Sequence, residues 1–190
     1  EVSICSNALR RLGDSPITSL TEDSERGRLC NAFYEPSRDA ILRSHTWNFA
    51  INRANLAKLS TSPAFEYANQ FALPTDPFCL RVLKMEFEDY EFKIENLAGQ
   101  GRVLLTDEGE AKIIYIARVT DPSLFDSMFV DVLTAKLAVD LAYPVTNSTT
   151  LQVQMQKLFE RKLSEARSLD STEGSTDSLI STVFTDFRAP

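Results

Sequence analysis

The chain has 190 residues, of which 43% are hydrophobic and 25% are charged. These values lie in the range of folded globular proteins and exclude collagen-like, intrinsically disordered and membrane-embedded chains. The 27 acidic side chains outnumber the 20 basic ones, which gives a net charge of −7. A surface of this sign lacks the positive charge that nonspecific DNA binding or adsorption to anionic membranes requires, so we expect no membrane partner.

Three cysteines and one histidine restrict the available chemistry. Cys5, Cys30 and Cys79 are widely spaced and form no CxxC pair, so neither a disulfide framework nor a zinc site is expected. Cys5 and Cys30 fall among apolar helical positions, which predicts small buried side chains, with reactive or pairing thiols as the alternative. His45 precedes an aromatic cluster and is expected to pack or to form a hydrogen bond at a helix end. No metal and no cofactor are predicted.

Two helices are predicted before residue 50. An apolar repeat from Cys5 to Leu12 predicts an amphipathic helix that ends at Gly13. Side-chain oxygens at residues 21–24 are typical of an N-cap, and Pro36 is expected to bend the second helix or to divide it in two. The predicted apolar face of this second helix consists of Cys30, Phe33, Tyr34, Ala40, Ile41 and Leu42.

The pattern changes to that of β-strands between about residues 64 and 119. Three large apolar side chains at residues 47–51 are predicted to anchor the core where helices give way to strands. Residues 90–94 alternate apolar and charged side chains, which is typical of a half-buried antiparallel strand. Glycines predict turns at residues 99–101 and 107–109. Four or five strands joined by short turns would form a meander or a small barrel.

Two helices are predicted after the strands. The first carries two adjacent apolar stripes and is expected to stop at Pro144. The last helix is predicted from about Thr150 to Leu169. Its predicted inner face consists of Leu151, Met155, Leu158, Lys162 and Leu169, with Phe159, Leu163 and Ala166 beside them.

The order of these elements predicts an α+β fold. The first two and the last two helices have only each other to cover their apolar faces. We therefore predict a discontinuous antiparallel helical bundle, residues 1–50 and 120–170, with a small antiparallel β-domain, residues 51–119, inserted between its halves.

Residues 171–190 are predicted to form an extended C-terminal arm. Eight of these twenty residues are Ser or Thr, yet apolar side chains recur among them at helical spacing. Either the segment folds back on its own domain, or it becomes ordered against another subunit. In the second case the partner-binding residues are Leu179, Ile180, Val183, Phe184, Phe187 and Arg188.

Carboxylates in loops are the one candidate for catalysis in the sequence. It contains no GxSxG serine motif and no phosphate-binding glycine loop. A glycosidase needs two carboxylates at a fixed separation and no cofactor, so two acidic loops are compatible with a hydrolase. Their members are Glu86, Glu88, Asp89 and Glu91 in the first loop, and Asp107, Glu108 and Glu110 in the second.

Four motifs carry a resemblance to a known family. They are NALRRLGDSPITSL at residues 7–20, WNFA at 47–50, FALPTD at 71–76 and YIARVTD at 115–121. Their order and spacing resemble those of the tail tubular protein A family, the head-to-tail adaptors of short-tailed phages. The resemblance covers roughly residues 4–170.

This resemblance implies a structural role and no enzymatic activity. Subunits of the family form a twelve-fold ring between the portal protein and a tail nozzle protein similar to tail tubular protein B. DNA passes through the ring without specific binding. The resemblance places the protein in the connector of the virion, after assembly in the host cytoplasm. An acidic channel wall would repel phosphates over a Debye length of about 8 Å.

Two other functions stay open at this point. Some relatives have been credited with hydrolysis of cell walls or polysaccharides, which the loop carboxylates would have to perform. A regulatory or scaffolding protein whose β-domain binds peptides at a free strand edge is the other alternative.

Overall fold

A computed structural model describes residues 1–173 of the chain. Short 3-10 turns lie at Asn48–Ala50 and Pro122–Leu124. The fold is α+β, as predicted, and within the described residues it comprises four helices and two small antiparallel sheets of three strands each. The helices are α1 (Val2–Arg11), α2 (Glu25–Ser44), α3 (Ser127–Thr146) and α4 (Thr149–Asp170); the strands are β1 (Ile51–Asn55), β2 (Asn69–Ala72), β3 (Cys79–Met85), β4 (Lys93–Leu97), β5 (Gly101–Thr106) and β6 (Lys112–Ala117).

The first two helices begin and end close to the predicted positions. α1 is followed by Gly13, whose φ of 78° lies in the left-handed region that favours glycine. Ser24 caps α2 by accepting a hydrogen bond from the backbone N–H of Gly27. α2 continues through Pro36 as one helix, so the predicted alternative of two separate helices is wrong. Ala40 is exposed rather than part of the apolar face, and Arg38 is buried instead.

α3 also continues past a proline. The predicted stop at Pro144 is wrong, because the helix runs two residues further. In this last turn of α3, the Thr146 hydroxyl donates a hydrogen bond to the carbonyl of Ala142. Asn147 then ends the helix with a φ of 51° and donates its N–H to the Tyr143 carbonyl.

α4 matches its predicted length but turns a slightly different face inward. Leu158 does not pack against the main core, and the side chain of Leu169 is 52% exposed, so the predicted inner face is wrong at these two residues. Lys162, another member of the predicted inner face, lies against α3 and pairs with Asp131. The side chains of α4 that pack on the core are Leu151, Met155, Phe159, Leu163 and Ala166.

The strands form two sheets rather than a meander or a barrel. The first sheet has the order β1-β6-β3 and the second has the order β2-β5-β4. β1 pairs with β6 in antiparallel register, with Ile51 opposite Ile116. This pairing joins segments 65 residues apart along the chain (116 − 51), which local sequence patterns do not specify. The prediction of four or five strands joined only by short turns is therefore wrong.

Two local strand assignments also differ from the structure. The alternating segment 90–94 was predicted as a strand, but β4 begins only at Lys93. Tyr90 and Phe92 are nevertheless half-buried against the sheets, and Tyr90 packs edge-to-face on Phe87 with the ring centroids 5.1 Å apart. The alternation thus reflects side-chain packing rather than strand pairing. No strand was predicted at β1, of which only Ile51 belongs to the predicted core anchor.

The first sheet separates two hydrophobic cores. Along β6, Ile116 faces the helices, while Ile113 and Tyr115 face the second sheet. This alternation explains why β6 is apolar at almost every position, because both of its faces are covered. On the helical side Trp47 is fully buried, and its indole N–H donates to the Ile41 carbonyl at 2.9 Å. The prediction of a core anchor at this position is confirmed.

Candidate functional site

The predicted partner-binding residues lie outside the part of the chain that the structure describes. They are Leu179, Ile180, Val183, Phe184, Phe187 and Arg188, and the description ends at Glu173. The structure does describe the point from which this segment continues, which is the C-terminal end of α4.

The end of α4 is fixed to the end of α2. Asp170 accepts a hydrogen bond from the backbone N–H of Asn48 at 3.0 Å, and the Asn48 side chain donates to the Asp170 carbonyl at 2.6 Å. His45 Nε2 lies 2.9 Å from Asp170 Oδ2. One turn earlier, Arg167 donates to the Ser44 carbonyl at 3.1 Å. We call these five residues the α4 anchor.

The α4 anchor explains the single histidine of the chain. His45 follows the last residue of α2, and its ring packs edge-to-face against Trp47 with the centroids 4.8 Å apart. The prediction that His45 packs and forms a hydrogen bond at a helix end is confirmed. Its partner Asp170 lies 125 residues away, so only the tertiary structure identifies the contact.

A groove begins at the residue that follows the α4 anchor in the chain. Its volume is about 510 Å³, and we call it the junction groove because its lining comes from the helical side and from the first sheet. Phe49, which follows Asn48 of the anchor, forms part of the wall and packs on Phe125 and Phe129. Leu124 lies at the same groove with 62% of its surface exposed.

The charged wall of the junction groove is held in place by an ion pair and an aromatic ring. The Arg118 guanidinium lies 4.4 Å from the centroid of the Phe78 ring, and its Nε is 2.7 Å from Asp39 Oδ2. Asp39 also accepts a hydrogen bond from the buried Arg38 at 2.9 Å. The groove therefore combines an exposed apolar side chain with a fixed cation, a composition suited to a protein partner.

The acidic loops predicted as candidates for hydrolysis lie at one end of the two sheets. Strands β3 and β5 run toward this end, and the loops after them contain Glu86, Glu88, Asp89, Glu91, Asp107, Glu108 and Glu110. We call this end of the molecule the acidic end.

Several of these carboxylates already have partners. Glu86 lies 2.8 Å from Lys112 Nζ, and this contact raises the pKa of Lys112. Glu88 lies 3.5 Å from Lys84 Nζ. These two carboxylates are therefore engaged in ion pairs with lysines.

Cys5 and Cys30 are buried, as predicted, and Cys79 is buried as well. Cys5 and Cys30 lie in the helical core, and Cys79 lies between the sheets. The structure brings Cys5 and Cys30 together although they are 25 residues apart (30 − 5), and the hydrogen bond between them, together with burial, raises the pKa of the Cys5 thiol far above its ordinary value. Burial also raises the pKa of the Cys79 thiol.

Sequence analysis missed a cluster of three arginines. Arg43 on α2, Arg81 on β3 and Arg102 on β5 line one pocket of about 410 Å³, which we call the arginine pocket. They are separated by 38 and 21 residues (81 − 43 and 102 − 81), so no sequence motif indicates that they meet.

Among residues 1–173, no group of three His, Cys, Asp or Glu side chains is arranged to hold a metal ion. Over the same residues, no helix combines the length and the apolar character that crossing a bilayer requires.

Comparison with protein-family models gives no match for this sequence, and comparison with curated proteins gives none either. The similarity to the tail tubular protein A family rests on the four motifs quoted above and stays a prediction. The structure shows where those motifs lie. WNFA forms the turn between α2 and β1, and YIARVTD ends β6 at the junction groove.

Proposed function

We propose that this protein is a structural adaptor subunit of a short-tailed phage. In this proposal copies of the chain form a ring, with twelve subunits as the expected number, between the portal protein and the tail nozzle protein. DNA passes through the ring without specific binding, and the chain has no catalytic role.

The observation that carries the proposal is the α4 anchor beside the junction groove. Two hydrogen bonds between Asp170 and Asn48 fix the point from which residues 174–190 continue, next to a groove that exposes Leu124. Seventeen residues span at most about 56 Å when extended, which is enough to reach a neighbouring protein. We propose that the portal contacts this segment and the rim of the junction groove together.

The arrangement of the helices is consistent with this role. α3 contacts α1, α2 and α4, so the helices from both ends of the chain pack around it. We propose that residues 1–50 and 120–170 act as one discontinuous bundle, with residues 51–119 as the inserted β-domain. In a ring, the bundle would surround the channel while the β-domain faces outward or toward the nozzle. The net charge of −7 would disfavour adhesion of the passing DNA.

The proposal is tested by co-purification with a portal protein from the same phage. The full chain is expected to bind the portal, and a chain that ends at Glu173 is expected to stay folded but to lose binding by at least about tenfold. The same loss is expected from the double substitution Phe184→Ser and Phe187→Ser in the full chain. Thr182→Ala, a polar substitution in the same segment, serves as the matched control.

Two outcomes contradict the proposal in different ways. If the chain that ends at Glu173 binds the portal as well as the full chain does, the assignment of the arm fails. If the full chain does not bind the portal at all, the adaptor function fails. Assays of glycan hydrolysis with the wild type and a Glu108→Gln variant would then test the alternative.

A further inference from the structure

The arginine pocket concentrates positive charge in an acidic molecule. Arg43 donates through Nη1 to the Leu80 carbonyl, and Arg102 donates through Nη1 to the Cys79 carbonyl at 2.5 Å. Both carbonyls belong to the start of β3, an edge strand whose register with β6 shifts between Cys79 and Arg81. Two of the three arginines therefore also have a structural role, because they bind carbonyl oxygens at this irregular edge.

These contacts use only a few of the available donors. A guanidinium carries five N–H donors, and the two backbone contacts each involve a single Nη atom. Arg81 Nε is buried and has no hydrogen-bond partner among residues 1–173. A buried donor without a partner is costly, so a ligand that supplies an acceptor would be favoured.

Within residues 1–173, none of the three arginines lies within 4 Å of a carboxylate oxygen. Glu95 also lines the pocket, but its carboxylate lies 3.4 Å from Lys93 Nζ. Three guanidinium groups thus face one acidic group that already has a partner. Planar guanidinium groups bind carboxylates with paired hydrogen bonds, which makes this pocket suitable for an oxyanion.

The acidic end lies at the opposite end of the same strands. In the first sheet Cys79 pairs with Ala117, beside the arginine pocket, and Met85 pairs with Ile113, beside the acidic loops. Five carboxylates of the acidic end form no ion pair within the part of the chain that the structure describes. They are Asp89, Glu91, Asp107, Glu108 and Glu110.

We infer that the arginine pocket binds carboxylates from the acidic end of a second copy of this chain. A subunit with complementary charges at opposite ends forms a head-to-tail contact, and such contacts close into rings when the rotation between copies permits. A second copy carries the same net charge of −7, so the contact depends on the local match between the three arginines and the carboxylates of the acidic end that form no ion pair. The inference rests on the proposed function in one respect, since both require copies of the chain to lie side by side.

Charge reversal in the full chain tests the inference. Arg81→Glu is expected to weaken self-association by about tenfold or more, since it places a like charge opposite the acidic end. Glu108→Arg combined with Glu110→Arg is expected to have the same effect. All three substitutions in one chain restore opposite charges and are expected to recover most of the association. Arg10→Glu is the matched control, because Arg10 is exposed on α1 and belongs neither to the arginine pocket nor to the acidic end.

Self-association is measured by sedimentation equilibrium of the chain alone and by native mass spectrometry of its complex with the portal. If rings form on the portal and Arg81→Glu joins them at wild-type stoichiometry, the inference fails while the proposed function stands. If the free chain associates through Arg81 but never binds the portal, the inference stands and the proposed function fails. A wild type that stays monomeric in both conditions contradicts both.

The same variants are titrated with inorganic phosphate and with a short DNA duplex to distinguish other sources of an oxyanion. The inference predicts no DNA binding that depends on Arg81. DNA binding by the wild type that Arg81→Glu abolishes, without any effect on self-association, would overturn it in favour of a nucleic-acid site. Inorganic phosphate is expected to weaken self-association only slightly, because a single phosphate ion would occupy only part of the arginine pocket.

Discussion

At the scale of single residues, the start of α2 depends on a close approach between Glu22 and Gly27. The Glu22 carboxylate accepts hydrogen bonds from the Ser24 hydroxyl and from the N–H and hydroxyl of Thr18, and these contacts lower its pKa to about 2. A Cβ atom on Gly27 would lie 2.7 Å from Glu22 Cγ and 2.8 Å from the Glu22 carbonyl oxygen. Only glycine fits at this position without a shift of the backbone.

We therefore expect Gly27→Ala to lower the free energy of unfolding by about 1–3 kcal/mol, because the backbone contact has to open. Gly109→Ala is the matched control, since a Cβ at Gly109 would meet no atom within 4 Å. Urea unfolding of both variants measures the difference. Equal stability of Gly27→Ala and the wild type would contradict this account of the turn.

Sequence analysis predicted the cap of α2 but not the requirement for glycine. The cap follows from the residue types around Ser24, which are favoured at N-caps wherever they occur. The close approach follows from the position of the Glu22 backbone, which the local sequence does not reveal. The arginine pocket was missed for the same reason, because its members come from three separate elements.

At the scale of elements, one aspartate joins three helices. Asp131 on α3 forms ion pairs with Arg11 on α1 and with Lys162 on α4, the latter at 3.1 Å. Burial acts to raise the pKa of Asp131, but the hydrogen bonds from Arg11 and Lys162 outweigh it and hold the pKa below its ordinary value of 3.8. Lys162 has a raised pKa because of the same contact.

We expect Asp131→Asn to destabilise the protein by about 1–2 kcal/mol at neutral pH, because Arg11 and Lys162 lose their anionic partner. The pKa of Asp131 is lower in the folded state than its ordinary value of 3.8. The contribution of Asp131 to the free energy of unfolding is therefore fully present above pH 3.8, and it is lost as the pH falls through the pKa of the folded state. The stability gap between wild type and variant should therefore narrow below about pH 4.

Thermal unfolding between pH 3 and pH 7 measures this gap. Asp23→Asn is the control, since the Asp23 side chain is 99% exposed and its substitution should leave the stability nearly unchanged. A gap of constant size across the whole pH range would contradict the assigned cause.

The helices were predictable as elements, whereas the pairing of the strands was not. The bounds of α1, α2 and α4 follow from apolar periodicity and caps within each segment. β1 pairs with β6 across the whole inserted region, and its identity as a strand depends on that pairing. α3 crosses Pro144 because its packing against the other helices outweighs one missing hydrogen bond.

At the scale of the whole molecule, the first sheet belongs to both cores. Ile116 packs against the helices, and Leu104 packs between the two sheets. Because β6 supplies side chains to both cores, we expect the helices and the sheets to unfold in one transition.

Two substitutions test this coupling. Ile116→Ala and Leu104→Ala are each expected to cost about 2–5 kcal/mol, since both side chains are fully buried. The fluorescence of Trp47, the single tryptophan, reports on the helical core, and circular dichroism reports on the whole chain. Leu104→Ala should lower the urea midpoint of both signals equally. A Trp47 transition that Leu104→Ala leaves unchanged would show that the sheets unfold independently.

The proposed role of the chain is that of an adaptor that assembles with a portal. Native mass spectrometry of the purified chain, alone and mixed with portal, tests this role. We predict a complex that contains about twelve copies of the chain for each portal ring, as expected for a closed cyclic assembly. A chain that stays monomeric in both conditions would contradict the proposed role.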